Sequence, residues 1–279
     1  MPRSLVDGKD EAELMANAHA MGEKMANYVT SIFLPPNELE YEKSYSSFLL
    51  LKKKRYAGYK FEPGLPPKLQ IKGLEAARRD YAPLLVDTQK KMLNILLLER
   101  DVQKACDFVK GVVHDLMNGN IPLEKLVMSK KLSRPPKDYK ATAAHVNLAL
   151  RLAVEAPETA PVSGDRVDYV IYRSGSSKVS ESACLPSEIG KFALDVEYYL
   201  EKQLKGPLMR ILEKIVEKPE DLFAVTSIFK SGTGVMGNFV KTGKRKVDSV
   251  ARVASTSQVQ LKKKKPDLMQ IFRNMTKHT

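Results

Sequence analysis

The spacing of apolar residues changes near residue 75, and this change constrains the fold more than any other feature of the sequence. Residues 10–33 carry apolar side chains three and four positions apart, as an amphipathic helix does, and Pro35-Pro36 ends that pattern. Short alternating or continuous apolar segments follow, which are typical of strands. The predicted strands are residues 39–45, 48–51, 55–61 and 69–73. We expect a small antiparallel sheet there, with a proline-rich turn at residues 62–67 before its last strand.

Helical spacing dominates from residue 75 to residue 218, with one short apolar strand predicted at residues 167–173. The predicted helices are residues 81–100, 102–117, 139–154 and 187–218. We expect Gly206-Pro207 to interrupt the last helix, because proline lacks the N–H group that a helix interior requires. The predicted fold class is therefore α+β, with a small antiparallel sheet, a mostly helical part after it and a flexible basic tail.

The formal net charge of +13 is concentrated near the C-terminus. Residues 230–265 hold ten basic residues and one acidic residue, among many Gly, Ser, Thr and Val. We interpret this stretch as a flexible tail that attracts a polyanion, most commonly nucleic acid. A solubilising or nuclear-import segment explains it equally well, and a membrane-surface role would rest on the tail alone. No apolar run of about 18 residues occurs, so no membrane span is expected.

Cysteine is scarce in this sequence. Cys106 and Cys184 are too few for a disulfide framework or a four-cysteine zinc module. A reducing intracellular compartment is the natural interpretation.

The densest group of cations in the body of the chain is KKKRY at residues 52–56, at the end of a predicted strand. Cations beside an aromatic ring on a strand end suit a phosphate backbone, although adjacent cations often form no more than a solvated surface. A second basic group contains Lys72, Arg78 and Arg79.

Two acidic residues precede the first basic group. Glu40 and Glu42 lie two positions apart on the predicted strand 39–45, so both side chains would point to one face. Paired carboxylates can hold Mg²⁺, and a solvent-facing strand edge beside Lys43 is the alternative. The sequence contains neither the phosphate-binding GxxxxGK[ST] motif nor the GxSxG motif.

Several of these segments, in their order along the chain, resemble the second half of a family B DNA polymerase. The resemblance is closest to the delta-type replicative enzymes of eukaryotes and their large DNA viruses. The segments are LEYEK at 39–43, KKRYAG at 53–58, KGLEAARRD at 72–80, LVMSKKLSR at 126–134, GDRVDYVI at 164–171 and DVEYYL at 195–200. The resemblance spans roughly residues 10–216. It implies the C-terminal edge of a palm at 1–80, a helical thumb at 81–229 and a basic tail at 230–279.

In that family, two palm aspartates bind the two Mg²⁺ ions that drive nucleotidyl transfer, and this sequence contains neither of their motifs. The resemblance implies a DNA-directed DNA polymerase, of which this chain grips primer–template DNA and is inactive alone. Mg²⁺ and the incoming dNTP would be bound with the missing palm and fingers. Glu40 and Glu42 match acidic positions at which an accessory metal would bind. The implied nucleic-acid-binding residues are Lys53, Lys54, Arg55, Tyr56, Lys72, Arg78, Arg79, Lys130 and Arg134.

The C-terminal segment departs from the family pattern. Cellular delta-type enzymes end in cysteine-rich modules, whereas residues 230–279 contain no cysteine, so neither zinc nor an iron–sulfur cluster is expected. Leu268, Ile271 and Phe272 resemble a degenerate sliding-clamp-binding peptide, in which apolar anchors share one helical turn. A sliding clamp and a second polymerase chain are therefore candidate partners.

The alternative function is a non-catalytic DNA-binding or clamp-binding protein derived from a polymerase thumb. Either function predicts the nucleus or a viral replication site as the location, without a membrane.

Overall fold

The computed structural model describes residues 10–141, 143–176 and 178–224. The first element in these ranges is a capped helix. Helix α1 spans Glu11–Thr30, and the Asp10 carboxylate accepts a hydrogen bond from the Glu13 N–H at 2.8 Å. This confirms the predicted helix with slightly narrower bounds. A Cβ atom on Gly22 would lie 2.3 Å from the Tyr41 ring, so the segment after α1 packs directly on the helix backbone.

Three antiparallel strands follow α1 in the order β1-β2-β3, which confirms the predicted small antiparallel sheet, although four strands were predicted. They are β1 Ser44–Lys52, β2 Arg55–Glu62 and β3 Leu65–Lys72. The strand predicted at 39–45 is wrong over residues 39–43, where the Leu39 N–H donates to the Thr30 hydroxyl and ties the segment to α1. The predicted proline-rich turn is too long, because β3 already begins at Leu65. An edge strand tolerates proline, since its outward N–H groups need no partner within the sheet.

The helices after this sheet follow the predicted spacing, with differences at their ends. They are α2 Pro83–Asn94, α3 Val102–Met117, α4 Ala144–Glu155, α5 Val196–Tyr198 and α6 Gly206–Leu212. A wide helical turn, Ile95–Glu99, extends α2. The helix predicted at 139–154 begins only at Ala144, and the one predicted at 187–218 starts as a separate 3₁₀ segment, Pro186–Lys191.

The last helix does not break at Gly206-Pro207, where we expected an interruption, but its hydrogen-bond pattern changes at Gly206. A wide helical turn at Tyr199–Lys205 leads directly into α6, and Gly206 keeps the helical angles φ −54° and ψ −53°. Pro207 therefore lies in the first turn of α6, where the absence of its N–H group removes few hydrogen bonds from the helix. The widened turn before it shifts the hydrogen-bond register, which explains why the chain continues without a break.

A second antiparallel sheet lies within the part that was expected to be mostly helical. Its strands are β4 Met128–Lys131, β5 Arg166–Ile171 and β6 Ala183–Cys184, in the order β4-β5-β6. β5 confirms the strand predicted at 167–173, whereas β6 is too short for apolar spacing to reveal. Helices and small antiparallel sheets together agree with the predicted α+β class.

One apolar core connects the two sheets. It extends from Ala57 on β2, through α2 and α3, to Tyr169 on β5 and Phe223 beyond α6. Residues 230–279, including the predicted clamp-binding residues, lie outside the described part of the chain. Within that part, no helix is both long and apolar enough to span a membrane.

Candidate nucleic-acid interface

The turn between β1 and β2 presents two lysines to solvent. Lys53 and Lys54 are both exposed, and Lys54 has a left-handed backbone with φ 63°. Gly73 also has a positive φ of 67°, and a Cβ atom built on it would lie 2.1 Å from the Lys54 carbonyl oxygen. The backbone after β3 therefore touches the turn, which places Lys72 at the same end of the sheet as Lys53 and Lys54.

The outer face of the first sheet carries an aromatic cluster. The ring centroids of Tyr45 and Phe48 lie 5.0 Å apart, and those of Phe48 and Tyr56 lie 5.3 Å apart. The Tyr45 hydroxyl donates to the Gln70 side-chain oxygen on β3. Gly58 gives this cluster room, since a Cβ atom there would lie 2.8 Å from both the Tyr45 and Phe48 rings. Tyr56 is thus held on a partly solvent-exposed face beside the lysine turn.

Arg55 points away from that face. Neighbouring residues of a strand alternate between faces, so Arg55 shares the inner side of β2 with the buried residues Ala57 and Tyr59. Its guanidinium forms an ion pair with Glu75 at 2.6 Å, and Arg210 on α6 reaches the same carboxylate oxygen at 2.6 Å. The structure therefore places Arg55 in an internal ion pair, apart from the exposed lysines.

Glu75 is the centre of this internal network and is 5% exposed. Its second carboxylate oxygen accepts from the Gln89 amide at 3.2 Å, and the Gln89 oxygen accepts from the Ala76 N–H at 2.6 Å. Burial alone would raise the pKa of Glu75, but hydrogen bonds from its own N–H, Gln89 and Arg210 hold that pKa below its usual value. The network joins β2, α2 and α6 behind the lysine turn.

In the second predicted basic group both arginines are exposed, and Arg78 is also paired with an acid. Arg78 forms an ion pair with Asp80 at 2.7 Å and lies over the Tyr81 ring at 5.8 Å. The side chain of Arg79 is exposed, and its carbonyl oxygen accepts from Arg166 at 3.1 Å. Because Arg166 begins β5, this bond brings the segment after the first sheet against the second sheet.

Of the two predicted thumb residues, Lys130 lies at an open cavity of about 380 Å³ at the start of β5, and Arg134 does not line that cavity. Lys130 lines the cavity, and Arg134 lies over the Tyr139 ring at 5.5 Å. The full lining is Asp80, Lys130, Lys131, Ser133, Tyr139, His145 and Arg166. We call this space the β4–β5 cavity.

Glu40 and Glu42 do not form a metal site by themselves. Both are exposed on the segment between α1 and β1, which is not a strand. Glu42 forms an ion pair with Lys43, and the hydrogen bond from Lys43 lowers the pKa of Glu42. Among the described residues, no group of three or more His, Cys, Asp or Glu side chains is arranged to hold a metal ion. Two separate surface carboxylates therefore do not fit a Mg²⁺ site without further ligands, and their metal role stays a prediction.

Of the residues that line the β4–β5 cavity, sequence reasoning placed only Lys130 in the site and missed the other six, namely Asp80, Lys131, Ser133, Tyr139, His145 and Arg166. Asp80 and Arg166 were visible as the last residue of KGLEAARRD and the arginine of GDRVDYVI. Those segments lie far apart in sequence, and no spacing rule indicates that β4, β5 and α4 bring them together.

The chain is similar in sequence to known DNA polymerases. The sequence profile of DNA polymerase family B matches residues 9–215. The chain is 39% identical over 244 residues to the DNA polymerase delta catalytic subunit of Candida albicans, covering 86% of this chain and 22% of that protein. It is 41% identical to the DNA polymerase delta catalytic subunit of Caenorhabditis elegans, covering 73% of this chain and 19% of that protein.

The fold indicates the same family. The solved structure of the family B DNA polymerase from the archaeon Pyrobaculum calidifontis superposes with a TM-score of 0.52 and 30% identity, covering 68% of this chain and 24% of that one. The chain therefore belongs to DNA polymerase family B. Its sequence is similar to delta catalytic subunits, of which it spans about a fifth of the length.

Proposed function

We propose that this chain grips primer–template duplex DNA as part of a delta-like, DNA-directed DNA polymerase. The observation that carries the proposal is the position of Lys53, Lys54 and Lys72 at one end of the first sheet, beside the outward-facing Tyr56. Exposed lysines next to a partly exposed aromatic cluster suit a phosphate backbone. Membership of DNA polymerase family B supports the choice of duplex DNA over other polyanions.

The contacts divide between binding and support. Lys53, Lys54, Tyr56 and Lys72 would touch one stretch of duplex, and Arg79, Lys130 and Arg134 would touch another. Arg55, held by Glu75, would support the turn rather than bind DNA. Arg78, held by Asp80, would both support the structure and contact DNA. Contacts to phosphates position a duplex without selecting its sequence, which is what replication of any template requires.

Nucleotidyl transfer would need residues beyond this sequence. The two Mg²⁺-binding aspartates implied by the family, and the fingers that bind the dNTP, would be supplied by further polymerase polypeptide. In this assignment residues 1–80 form a palm edge, residues 81–229 form the thumb, and Glu40 and Glu42 hold at most an accessory ion. The clamp-binding role of Leu268, Ile271 and Phe272, and a nuclear or viral replication site, remain parts of the proposal.

Fluorescence anisotropy with a labelled primer–template duplex tests the proposal. We expect binding that is equal for unrelated sequences and weakens steeply as salt rises, because counterions are released from each contacted phosphate. Binding that is absent, or insensitive to salt, would contradict it. Primer extension with Mg²⁺ and dNTPs should give no product from this chain alone, and robust synthesis would overturn the assignment of the catalytic aspartates to other polypeptide.

A further inference from the structure

Strand β3 forms one open edge of the first sheet. The sheet order is β1-β2-β3, so the outer edge of β3 has no strand partner among the described residues. Pro66 and Pro67 lack the N–H groups that a further strand would need, which leaves residues 68–72 as the segment able to pair. An open edge is a template for an extended peptide, because its backbone N–H and C=O groups are already held in strand geometry.

The side chains of β3 separate into an apolar face and a cationic face. Leu69 lies opposite the buried Tyr59 of β2, so Leu69 and Ile71 point to the inner side of the sheet. Lys68 and Lys72 occupy the alternate positions and point to the outer side. A strand added beside β3 would match it with apolar side chains on one face and acidic side chains on the other.

A groove of about 660 Å³ lies between β3 and the end of α2. The Tyr59 hydroxyl donates to the Asn94 side-chain oxygen at 2.8 Å, so this tyrosine presents its ring to the groove with its polar group already paired. Leu65 and Pro67 line the groove and are exposed, Leu65 at 58%. The inward side chains of an added strand would enter the groove and cover this apolar surface.

The charges around the groove favour an acidic partner. Lys68 and Lys90 line it and form no ion pair within 4.0 Å among the described residues. Glu62, the carboxylate in the lining, is already ion-paired with Lys60. Lysines on an edge strand discourage pairing with strands of like charge, so a strand that binds here must carry the opposite charge.

Three nearer occupants match this edge poorly. A second copy of β3 would bring its own lysines and its own proline pair to the contact. Residues 230–265 hold ten basic residues and one acidic residue, so the tail has the wrong charge. Polypeptide before residue 10 would join the chain at α1, which packs on β1 at the opposite edge of the sheet. The β3 edge is therefore suited to a separate protein.

We propose that the β3 edge binds an extended peptide of a separate protein, in which apolar residues alternate with Asp or Glu. The peptide backbone would pair with residues 68–72, its apolar side chains would fill the groove beside Leu65, and its carboxylates would lie near Lys68. This interaction is independent of DNA binding, so its test uses no DNA.

A synthetic peptide of alternating sequence, Asp-Val-Glu-Leu-Asp-Val-Glu, blocked at both ends and fluorescently labelled, is the probe. We expect saturable binding to the full chain by anisotropy, with a Kd on the order of 0.1 mM at about 0.1 M salt. The basic tail attracts any acidic peptide, so the reference is a peptide of the same composition with its acidic residues grouped together. That reference should bind on the order of tenfold more weakly, because it cannot place apolar and acidic side chains on opposite faces.

Two substitutions with matched controls locate the contact. Leu65→Gln should weaken binding on the order of tenfold, because it removes apolar surface that the peptide covers. Leu50→Gln is its control, since Leu50 is 61% exposed on β1, at the other edge of the same sheet. Lys68→Gln should weaken binding about threefold, as expected for an exposed ion pair, and the exposed Lys214→Gln should leave it unchanged.

Two N-methylated peptides test strand pairing without changing the protein. Every second N–H of an added strand faces its neighbour, so methyl groups on one alternate set of amides should abolish binding. Methyl groups on the other set should change the affinity less than twofold. Amide hydrogen exchange at residues 68–72 should slow when the unmethylated peptide is bound.

Several results would overturn the proposal. Equal binding of the grouped peptide would mean attraction by net charge alone, and equal effects of the two methylated sets would exclude strand pairing. A loss of binding in Leu50→Gln instead of Leu65→Gln would place the peptide on β1. Slow exchange at residues 68–72 before any peptide is added would mean that the edge is already covered. Sedimentation would then assign the cover to a second copy if the chain is a dimer, or to a segment of the same chain if it is a monomer.

Discussion

The two sheets differ in how much of their surface is covered. The first sheet leaves its outer face partly open, with Phe48 at 47% and Leu50 at 61% exposure. In the second sheet the side chains from Tyr169 to Ile171 on β5 are all buried. The open sheet carries its lysines on a projecting turn, whereas the covered sheet carries its cations around a cavity. An open face suits contact along a groove, and a lined cavity suits a single group.

The difference also separates cations that bind from cations that support. Lys53 and Lys54 are exposed, while the adjacent Arg55 is fixed by Glu75 together with Arg210. This run of basic residues looks uniform in sequence. In the structure it divides between a solvent-exposed turn and the internal ion pair behind that turn. Four variants sharpen this comparison.

Replacing Glu75 should have the largest effect. Glu75→Gln leaves Arg55 and Arg210 without their carboxylate, and breaking a buried ion pair costs roughly 3 kcal/mol of unfolding free energy. Glu188→Gln is the matched control in the second region, where one arginine, Arg151, pairs with the acid at 2.5 Å and the Glu188 side chain is 22% exposed. We expect a clearly smaller loss there. Urea unfolding at pH 7 measures both, and equal losses would contradict the central role of Glu75.

The same variant has a defined pH dependence. Because the folded-state pKa of Glu75 is lowered, its stabilisation is complete above the ordinary glutamate pKa of about 4.3 and is lost as pH falls through the folded value. The stability difference between wild type and Glu75→Gln should therefore be constant from about pH 7 to pH 5 and shrink below about pH 4. A difference that grows on acidification would mean that the pKa is raised.

Removing the exposed lysines should weaken DNA binding without changing stability. Lys53→Gln together with Lys54→Gln removes two charges and keeps both side chains polar. The slope of log affinity against log salt should fall by about 0.9 for each lost contact, which is on the order of tenfold per lysine at about 0.1 M salt. Lys214→Gln with Lys218→Gln, also exposed, is the charge-matched control. An unchanged slope in the Lys53 and Lys54 variant would remove the turn from the interface.

The sequence predicted the first sheet well because its signals are local. The alternation along β2 and the run in β1 lie within a few residues, and the basic turn lies between them. The role of Arg55 was not predictable, since its partner Glu75 lies 20 positions along the chain, and Arg210, which pairs with the same Glu75, lies 135 positions beyond Glu75. The β4–β5 cavity was missed for the same reason. The two-residue strand β6 gave no periodic signal, and the segment at 39–43 alternates like a strand but is tied to α1.

Filling Gly73 should disturb the turn by a moderate amount. Gly73→Ala combines a positive φ with a Cβ atom that would lie 2.1 Å from the Lys54 carbonyl, so the turn must move, at a cost of about 2 kcal/mol. Gly64→Ala is the control, because Gly64 has φ 75° with no atom within 4 Å of the added Cβ, and strain alone should cost about 1 kcal/mol. Duplex affinity should fall only for Gly73→Ala. If both variants bind alike, the position of the turn is unimportant for binding.

Removing one hydroxyl from the open face should have the smallest effect. Tyr45→Phe loses the hydrogen bond to Gln70 and keeps the ring that packs on Phe48 and Tyr56. A net hydrogen bond contributes about 1 kcal/mol, and this one is only partly buried, so urea unfolding should show a loss of about 0.5–1 kcal/mol. Tyr28→Phe, at a tyrosine that is 69% exposed on α1, should show none. Because the ring that supports Tyr56 is kept, duplex affinity should change less than twofold. A larger loss of affinity would mean that the Tyr45 hydroxyl orients Tyr56 for DNA, which would make the open face a more ordered contact surface than its exposure indicates.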